Sequence, residues 1–448
     1  MGSRKITVRF RLRLFVELVV GANLALGASG NLHAQAFVKR GTPYPAGRDW
    51  VEVATCGAPV REGGRLLVRA DSGSVSVRPG AKDRMDCQVR LRAYRSNEEE
   101  ARRYFRSYEL SIRTLEGGGV LLAGKSARSG RNSGLSVEYH LTVPLKFNLD
   151  LETKGGDLEV GNLDGELRGE TAGGDIRAGD VTGPVRVETA GGDIELGNIG
   201  HRVEVHTAGG AIRLNDVQGD AVLETSGGEI VAGLIEGSVR AETAGGDIVL
   251  HGASGPVRAE TAGGQIQIGQ CQASIRAETA GGSIRLHGAR GIVQAETAGG
   301  SIDLFRMQSA VRAETAAGRI LAEINATRNT FAASQLETSV GDVQVFLPPD
   351  LPLTIDAAIE QAFGHRIVSD FPIQIQGEEE SFRHRSQHVE AALNGGGKVL
   401  RIRTVMGNIE IHKLDARTLE ELKARQETFW KLWQERRQQH RKDRRSED

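Results

Sequence analysis

The chain has few aromatic residues, few prolines and almost no net charge. Its 448 residues include 12 Phe, 5 Tyr, 3 Trp and 11 Pro, against 58 Gly, and the formal net charge is -1. Without a basic excess there is no electrostatic argument for nucleic acid as a partner. The hydrophobic share of 39% is too high for a disordered chain, and glycine does not recur at every third position as in collagen. The composition therefore favours a repetitive β-structure.

Long hydrophobic runs are also scarce. The run from Leu14 to Leu26 follows five basic residues and precedes Ala34-Gln35-Ala36, a small-x-small cleavage pattern. It is shorter than the ~20 residues of a spanning helix, so an uncleaved anchor is the less favoured alternative. Residues 1–36 are predicted to be a Sec signal peptide, which places the mature chain in the periplasm, the outer envelope or at the cell surface.

Cysteine is rare, with three in the whole chain. In an oxidising compartment Cys56 and Cys87 are expected to form a disulfide, with two buried free thiols as the alternative. Cys271 falls at an inward position of the repeat described next.

The dominant feature of the sequence is a repeat centred on the motif E-T-x-G-G. A fixed short period of this kind indicates a solenoid, in which each repeat is one coil. Successive threonines lie 18 residues apart and form a predicted inward structural ladder: Thr153, Thr171, Thr189, Thr207, Thr225, Thr243, Thr261, Thr279, Thr297 and Thr315.

Each coil, for example V-R-A-E-T-A-G-G-D-I-V-L-H-G-A-S-G-P, contains two short runs that alternate with period two, which predicts two strands. Counted from the threonine, positions -4, -2, +5, +7 and +10 are small, aliphatic or β-branched and should face inward. The Gly-Gly pair is expected to supply positive φ angles and to leave no room for a side chain against the next coil.

The predicted fold is an all-β, single-stranded β-solenoid of 18-residue coils. Residues 37–150 should form an N-terminal β-rich cap with one short helix, started by Ser96 and a capping box to Glu99. Regular coils span 151–325, and irregular coils span 326–414. Residues 415–448 are predicted to be a charged amphipathic helix.

This last helix carries an apolar cluster and a basic end. It is expected to pack on the open end of the coils or to project as a tail. The alternative is a partner-binding helix or a peripheral membrane contact, since tryptophans and basic residues suit an interface. The cluster consists of Leu419, Leu422, Phe429, Trp430 and Trp433.

Outward positions form columns of charge along the coils. Glutamate recurs immediately before the threonine, and arginine recurs three residues before it, at Arg186, Arg240, Arg258, Arg276 and Arg312. At position +6, Glu159, Arg177, Glu195 and Arg213 alternate in sign, as stabilising cross-strand pairs do. A solvated, self-neutralising face is favoured over a binding surface.

Candidate chemical motifs fail on their context. Gly119-x4-Gly124-Lys125-Ser126 matches a phosphate-binding loop, but no helix can follow it. His384 and His388 have the i,i+4 spacing of zinc ligands on a helix, but no third ligand is evident. His251 and His287 lie two coils apart, which is awkward for one shared ion. The aspartate of A-G-G-D-I is replaced by other residues in several coils, so stacked calcium sites are disfavoured. No metal, cofactor or catalytic residue is therefore predicted.

Three stretches together resemble a known family. They are P-L-K-F-N-L-D-L-E-T-K-G-G-D-L-E-V, the repeated E-T-A-G-G-D-I, and G-G-G-K-V-L-R-I-R-T-V-M-G-N-I-E-I. They are similar to the bacterial putative-adhesin domain family of unknown function, over roughly residues 50–412. The resemblance implies an exported, non-enzymatic β-solenoid, in some members linked to envelope stress.

The leading functional hypothesis is a non-enzymatic scaffold that binds an envelope component or a protein partner. The first alternative is a carbohydrate-active β-helix enzyme with its acids in the glutamate columns or between Asp342 and Asp370. The second is an envelope-stress regulator that signals through the C-terminal helix.

Overall fold

The computed structural model describes residues 36–95, 97–115, 117–127, 134–374, 376–377 and 386–424. The predicted signal peptide therefore lies outside the described residues. The chain divides into two compact units, residues 1–211 and 212–448, each of which is described by itself below. Among the described residues, no helix has the length and apolarity needed to cross a membrane.

The described residues of the first unit form one helix, α1 (Glu98–Arg106), and sixteen strands. The strands are β1 (Phe37–Arg40), β2 (Tyr44–Ala46), β3 (Asp49–Pro59), β4 (Arg65–Ala70), β5 (Ser74–Gly80), β6 (Arg84–Ala93), β7 (Tyr108–Thr114), β8 (Val120–Ser126), β9 (Leu135–Pro144), β10 (Asn148–Thr153), β11 (Leu158–Val160), β12 (Leu167–Thr171), β13 (Ile176–Ala178), β14 (Val185–Thr189), β15 (Ile194–Leu196) and β16 (Val203–Thr207).

The repeat produces two stacks of parallel strands in this unit, and the predicted β-solenoid is confirmed. The strand that ends at the threonine pairs with its counterpart one coil later, through β10, β12, β14 and β16. The second strand of each coil does the same through β11, β13 and β15. Equivalent residues face each other in register, so that Thr171 lies opposite Thr189 and Ile176 opposite Ile194.

The inward positions carry the core. In the coil of Thr189, the side chains at positions -4, -2, +5, +7 and +10 are all at most 2% exposed: Val185, Val187, Ile194, Leu196 and Ile199. Since one coil has too few apolar residues to bury itself, this thin core depends on the neighbouring coils.

Coils begin earlier than the repeat suggests. Strands β4 and β5 stack in parallel under β10 and β11, and Ala70 takes the place of the threonine opposite Thr153. Strands β8 and β9 stack in turn on β4 and β5. The sequence hides these coils because the threonine is missing and long segments interrupt the period.

An antiparallel sheet completes the N-terminal region. Strand β3 pairs with β6, and β6 pairs with β9. Cys56 and Cys87 lie directly opposite each other on β3 and β6 and are joined by a disulfide, with Cα atoms 4.9 Å apart. The bridge therefore links two neighbouring strands that are already paired.

The expected start of α1 at Ser96 is wrong by one residue. The N-cap is Asn97, whose side-chain oxygen accepts the backbone N–H of Glu100 at 2.8 Å. Asparagine has extended backbone angles here and serves this role as well as serine does. The helix buries Ala101 and Phe105.

The second unit contains strands β17–β37 and a helical segment at residues 416–424, named α2 here. The strands are β17 (Ile212–Leu214), β18 (Ala221–Glu224), β19 (Ile230–Ile235), β20 (Val239–Glu242), β21 (Ile248–Ala253), β22 (Val257–Thr261), β23 (Ile266–Cys271), β24 (Ile275–Thr279), β25 (Ile284–Ala289), β26 (Val293–Thr297), β27 (Ile302–Met307), β28 (Val311–Ala317), β29 (Ile320–Ile324), β30 (Ser334–Val340), β31 (Val343–Leu347), β32 (Leu353–Ile359), β33 (Ile367–Ser369), β34 (Gln376–Gly377), β35 (Gln387–Leu393), β36 (Lys398–Met406) and β37 (Ile409–Lys413).

The same parallel stacking runs through this unit, from β18 to β30 on one sheet and from β17 to β31 on the other. The last coils depart from chain order. Strand β36 lies between β30 and β32, and β37 lies between β31 and β33. The motifs E-T-S-V-G-D-V and R-T-V-M-G-N-I therefore stack directly, with Thr338 opposite Thr404.

The Gly-Gly pair matters because a side chain would not fit against the neighbouring coil, and not because the two residues need positive φ angles. The expectation of positive φ is wrong for Gly191 and Gly192, which are not among the positive-φ residues, whereas Gly156 has φ 142°. A Cβ on Gly192 would lie well inside 3.0 Å of the Gly174 carbonyl oxygen, whereas one on Gly191 would be 3.7 Å from the Gly173 oxygen. Only the second glycine is thus required by the stacking.

This difference predicts unequal effects of two neighbouring substitutions. Gly192→Ala should lower the free energy of unfolding by ~3 kcal/mol or more, because the coil spacing cannot expand at one rung. Gly191→Ala, the matched control, should change it by less than ~1 kcal/mol. Urea unfolding of the mature chain followed by circular dichroism measures both, and equal effects would contradict the packing argument.

Candidate functional site

The threonine column is a regular polar array that recurs from coil to coil. In the first unit, the Thr189 hydroxyl donates to the Gly174 carbonyl of the preceding coil at 2.8 Å and accepts the Gly192 N–H at 3.4 Å. Thr279 does the same in the second unit, at 2.9 Å and 3.2 Å. The donation to a glycine carbonyl recurs at Thr153, Thr171, Thr207, Thr243, Thr261, Thr297 and Thr315, and Thr225 accepts the Gly228 N–H.

Aspartates at position +4 serve the stacking as well. Asp157 accepts the backbone N–H of Asp175 one coil later, and Asp175 accepts that of Asp193, both at 2.9 Å. In the second unit Asp247 accepts the N–H of Gln265 at 2.8 Å. Each of these carboxylates therefore accepts a hydrogen bond from a backbone group of the next coil. The described residues contain no cluster of three His, Cys, Asp or Glu side chains arranged to hold a metal ion.

The charged columns interlock along the threonine-containing sheet of the second unit. Arg240 contacts Glu242 of its own coil at 2.9 Å and Glu224 of the preceding coil at 3.5 Å. Arg258 likewise contacts Glu260 at 2.5 Å and Glu242 at 3.8 Å. Each arginine thus lies between two glutamates, and we refer to this two-column surface as the Arg–Glu face.

Crowding of the glutamates has an electrostatic cost. Burial raises the pKa of Glu260, and although Arg258 lowers it, the neighbouring glutamates raise it further. Burial and the charges of Glu152 and Glu188 raise the pKa of Glu170 in the first unit. The arginines offset repulsion between like charges one coil apart.

The alternating residues at position +6 are placed opposite one another as predicted, with Glu159 facing Arg177 and Arg177 facing Glu195. The ion pair of Arg177 is nevertheless made with Asp175 in its own coil, at 2.8 Å.

The described residues of the motifs to which the sequence analysis gave no function form a strand or make structural contacts. Residues 120–126 form strand β8, so the phosphate-loop match is not a loop followed by a helix. His384 lies outside the described residues, and His388 contacts Asp356 at 3.1 Å.

The acids of the irregular coils are engaged as well. Asp342 accepts the backbone N–H of Asn408, and Asp356 binds Arg403 at 2.7 Å and Arg401 at 3.2 Å. The guanidinium and imidazole hydrogen bonds outweigh burial and hold the pKa of Asp356 below its usual value. Asp370 contacts His412 at 3.2 Å. The lowered pKa of Asp356 favours an ionised, paired carboxylate over a proton-donating acid at that position.

In the part of the C-terminal segment that the structure describes, the helix does not pack on the open end of the coils. Leu422 of α2 is 2% exposed and packs on Phe305 and Leu321, which are outward-facing residues on β27 and β29. Leu419 lies in the same segment and is partly buried. The predicted partners Phe429, Trp430 and Trp433 lie outside the described residues. The helix packs on a lateral face, because apolar side chains occur there at outward positions.

Sequence reasoning missed this lateral cluster because the repeat treats outward positions as solvated. The available signal was Phe305, at a coil position held elsewhere by Gly, Asn, His or Glu, together with Leu321, at a coil position held elsewhere by Glu, Arg, Gln, Asp or Val. His287 is also outward, stacks on Phe305 at 5.8 Å between ring centroids, and is fully buried. Burial, with Arg285 and Arg306 nearby, lowers the pKa of His287 to about 3.

This lowered pKa predicts a stability change in acid. Between pH 6.5 and 3 the unfolded chain binds a proton at His287 that the native chain excludes, so stability falls as the pH drops through that range. The loss should reach about 2 kcal/mol between pH 6.5 and pH 5, at ~1.4 kcal/mol per pH unit. His287→Leu should remove this part of the slope, measured by urea unfolding at several pH values.

A matched histidine separates this effect from general acid sensitivity. His140, with 54% of its side chain exposed, serves as the control. His140→Leu should leave the pH slope of the natural chain in place. If the two variants show the same slope, His287 is not the source.

Comparisons with known proteins agree with the fold. Residues 65–270 match the model of the Toastrack DUF4097 family. Strands β4 to β22 lie in this range together with most of β23, so the match includes the coil of β4 and β5 that the repeat did not reveal. A search of curated proteins finds no match.

Two solved structures align with this chain at low identity. A "putative adhesin" from Bacteroides fragilis shares 15% identity over 54% of this chain and 95% of its own, with a TM-score of 0.26. A "putative cell adhesion protein" from Clostridium sporogenes shares 12% identity over 83% of this chain and 100% of its own, with a TM-score of 0.15. The predicted resemblance to a putative-adhesin family of unknown function is confirmed over residues 65–270, which match the Toastrack DUF4097 family model.

Proposed function

We propose that this chain is an exported, adhesin-like β-solenoid scaffold of the bacterial cell envelope. In this proposal it binds an envelope polymer and does not turn it over. The observation that carries the proposal is the Arg–Glu face, on which an arginine–glutamate pair recurs in four coils of the second unit, at Arg240, Arg258, Arg276 and Arg312. Export rests on the predicted signal peptide, and the adhesin-like role rests on the family and on the names of the two similar structures.

The Arg–Glu face offers hydrogen-bond donors at regular spacing. The side chains of Arg240, Arg258 and Arg276 are between 45% and 53% exposed, although each contacts a glutamate. A guanidinium has five N–H donors, and one or two contacts to glutamate leave others directed to solvent. Adjacent coils repeat these donors every ~4.8 Å. Such an array suits an extended polymer with repeated hydroxyl and carboxylate groups.

The hydrolytic alternative requires a free acid, and the contacts argue against one. The glutamates of the face contact arginines, and Asp342, Asp356 and Asp370 of the irregular coils are bonded to backbone or to basic side chains. An acid whose pKa is lowered by such contacts, as at Asp356, is a poor proton donor to a glycosidic oxygen.

A single assay tests binding and turnover together. The mature chain, residues 37–448, is incubated with isolated peptidoglycan and with surface polysaccharide, and co-sedimentation and released sugar are measured in the same tubes. We expect co-sedimentation without sugar release. Released sugar would contradict the scaffold proposal in favour of an enzyme, and the absence of both signals would contradict polymer binding.

A matched pair of variants locates the surface. Changing Arg240, Arg258 and Arg276 to Gln should weaken co-sedimentation at least ~10-fold, equivalent to 1.4 kcal/mol. The control changes three arginines of surface ion pairs in the N-terminal region, Arg84, Arg90 and Arg102, to Gln and alters the net charge equally. Equal losses in both variants would show that charge alone, and not the Arg–Glu face, governs binding.

A further inference from the structure

A cavity of about 190 Å³ lies on the side of the second unit, at the corner where the second strand of each coil ends. We name it the corner cavity. Three successive coils supply its walls, through positions +9, +10 and +11 counted from the threonine. The lining residues are Gln270, Gly288 and Arg306 at +9, Cys271 and Ala289 at +10, and Gln272, Arg290 and Gln308 at +11.

The corner cavity arises where glycine interrupts a column of long polar side chains. Gln270 lies opposite Gly288 across β23 and β25, and Arg306 occupies the same coil position 18 residues later. Gly288 is not among the positive-φ residues, and a Cβ there would be 3.6 Å from Gln270 Cγ and 4.0 Å from Arg306 Nε. Neither backbone strain nor close packing therefore requires this glycine, and its effect is to leave room between the two side chains.

The glycine one coil earlier at the same position behaves differently. A Cβ on Gly252 would be only 2.7 Å from the Gln270 carbonyl oxygen, so packing of the coils excludes a side chain there. Gly252 is thus a structural glycine like Gly192, whereas Gly288 forms the floor of an open space.

Arg306 is fixed at the wall of the cavity. Its φ of 55° lies in the left-handed region, which is unfavourable for a residue with a Cβ. Its Nε and Nη2 both donate to the His287 carbonyl oxygen, at 3.0 Å and 2.5 Å. A guanidinium has five N–H donors, so others remain for a further acceptor. The arginine is therefore held in place before any ligand arrives.

The column at position +11 is aligned by backbone hydrogen bonds. The N–H of Arg290 donates to the Cys271 carbonyl at 3.2 Å, and the N–H of Gln308 donates to the Ala289 carbonyl at 3.0 Å. Within the part of the chain that the structure describes, the side chains of Gln272, Arg290 and Gln308 form no hydrogen bond or ion pair. Their polar groups are available to a ligand.

The charge of the cavity is positive. Arg290 and Arg306 contribute two guanidinium groups, and the described residues that line the cavity include no carboxylate. Glu323 interacts with Arg306, but it is fully buried and does not line the cavity. An anionic group is therefore favoured at this site.

The lining residues define the chemistry of that ligand further. Guanidinium groups bind carboxylates through paired hydrogen bonds, and a carboxamide can both donate to and accept from a hydroxyl. Two arginines among three glutamines thus suit a molecule with one carboxylate and several hydroxyls. The volume lies below the ~300 Å³ at which sites for drug-sized ligands begin, so the ligand has about the size of one sugar unit.

We propose that the corner cavity binds a single uronic acid, a sugar that carries a carboxylate. Its carboxylate lies between Arg290 and Arg306, and its hydroxyls bond to the carboxamides of Gln270, Gln272 and Gln308. The site is separate from the Arg–Glu face, and the inference does not depend on polymer binding there.

Calorimetric titration of the natural chain with sodium glucuronate tests the site. At constant ionic strength we expect saturable binding of one glucuronate per chain, with a Kd of ~1 mM or below. Glucose, which lacks the carboxylate, should bind at least ~10-fold more weakly. No saturable binding of glucuronate, or equal binding of glucose, would overturn the proposal.

Filling the cavity tests its location without changing a charge. Gly288→Met should weaken glucuronate binding at least ~10-fold, because the new side chain occupies the space between Gln270 and Arg306. The matched control is Gly281→Met, in an exposed turn where a Cβ would be 3.7 Å from its nearest neighbour. The control should bind as the natural chain does, and equal binding by both variants would place the sugar elsewhere and overturn the proposal.

A charge variant tests the role of the arginines independently of the filling variant. Arg290→Gln should weaken glucuronate binding at least ~10-fold, because a charge-assisted hydrogen bond is lost. Arg328→Gln, at another exposed position of the second unit, makes the same change in net charge and should have no effect. Equal losses in both variants would contradict a site at Arg290. Displacement of glucuronate by inorganic phosphate at equal concentration would overturn the sugar assignment in favour of a general anion site.

Discussion

The hydrogen bond from a threonine hydroxyl to a glycine carbonyl one coil earlier is the contact on which the solenoid depends. It joins neighbouring coils where the strand ends and the turn begins, and the same hydroxyl accepts the glycine N–H of its own turn. The distance between coils at this point is short, so the second glycine of the pair has no room for a Cβ. Threonine and glycine therefore constrain each other and set the register in which the aliphatic ladders stack.

Most of the polar residues in the regular coils follow from this constraint. Once the turns stack closely, an aspartate at position +4 can accept the backbone N–H of the next coil, and Asp157 and Asp175 do so. The outward strand positions then bring like charges to within one strand spacing, and arginine between glutamates offsets the repulsion. The charged residues thus serve mainly to stabilise the stacked coils, and the regular Arg–Glu face is a consequence of that stacking.

The sequence allowed the coil to be predicted because each coil position keeps its character over many repeats. Inward residues such as Val185, Ile194 and Ile199 were identifiable from spacing alone, and they are buried. The first coil was hidden because Ala70 replaces threonine, although its strand stacks in the same register. The insertion of β36 between β30 and β32 was also hidden, because chain order does not reveal which edge a returning strand joins.

The functional surface was predictable only in part. The glutamate and arginine columns could be read from the sequence, but the interleaved contacts of Arg258 with two coils required coordinates. The burial of the outward residues His287 and Phe305 was missed because a repeat-based interpretation assigns every outward position to solvent. His287 and Phe305 show that a few outward residues can depart from the repeat without disturbing the inner ladders.

Removing one ladder hydroxyl tests the central role of the threonine–glycine bond most directly. Thr189→Val keeps the shape of the side chain and leaves the Gly192 N–H and the Gly174 carbonyl without this partner. The free energy of unfolding, from urea titration of the mature chain, should fall by ~1–3 kcal/mol. Thr55→Val, at an exposed position on β3, should change it by less than ~0.5 kcal/mol. An equally small change at Thr189 would contradict the account.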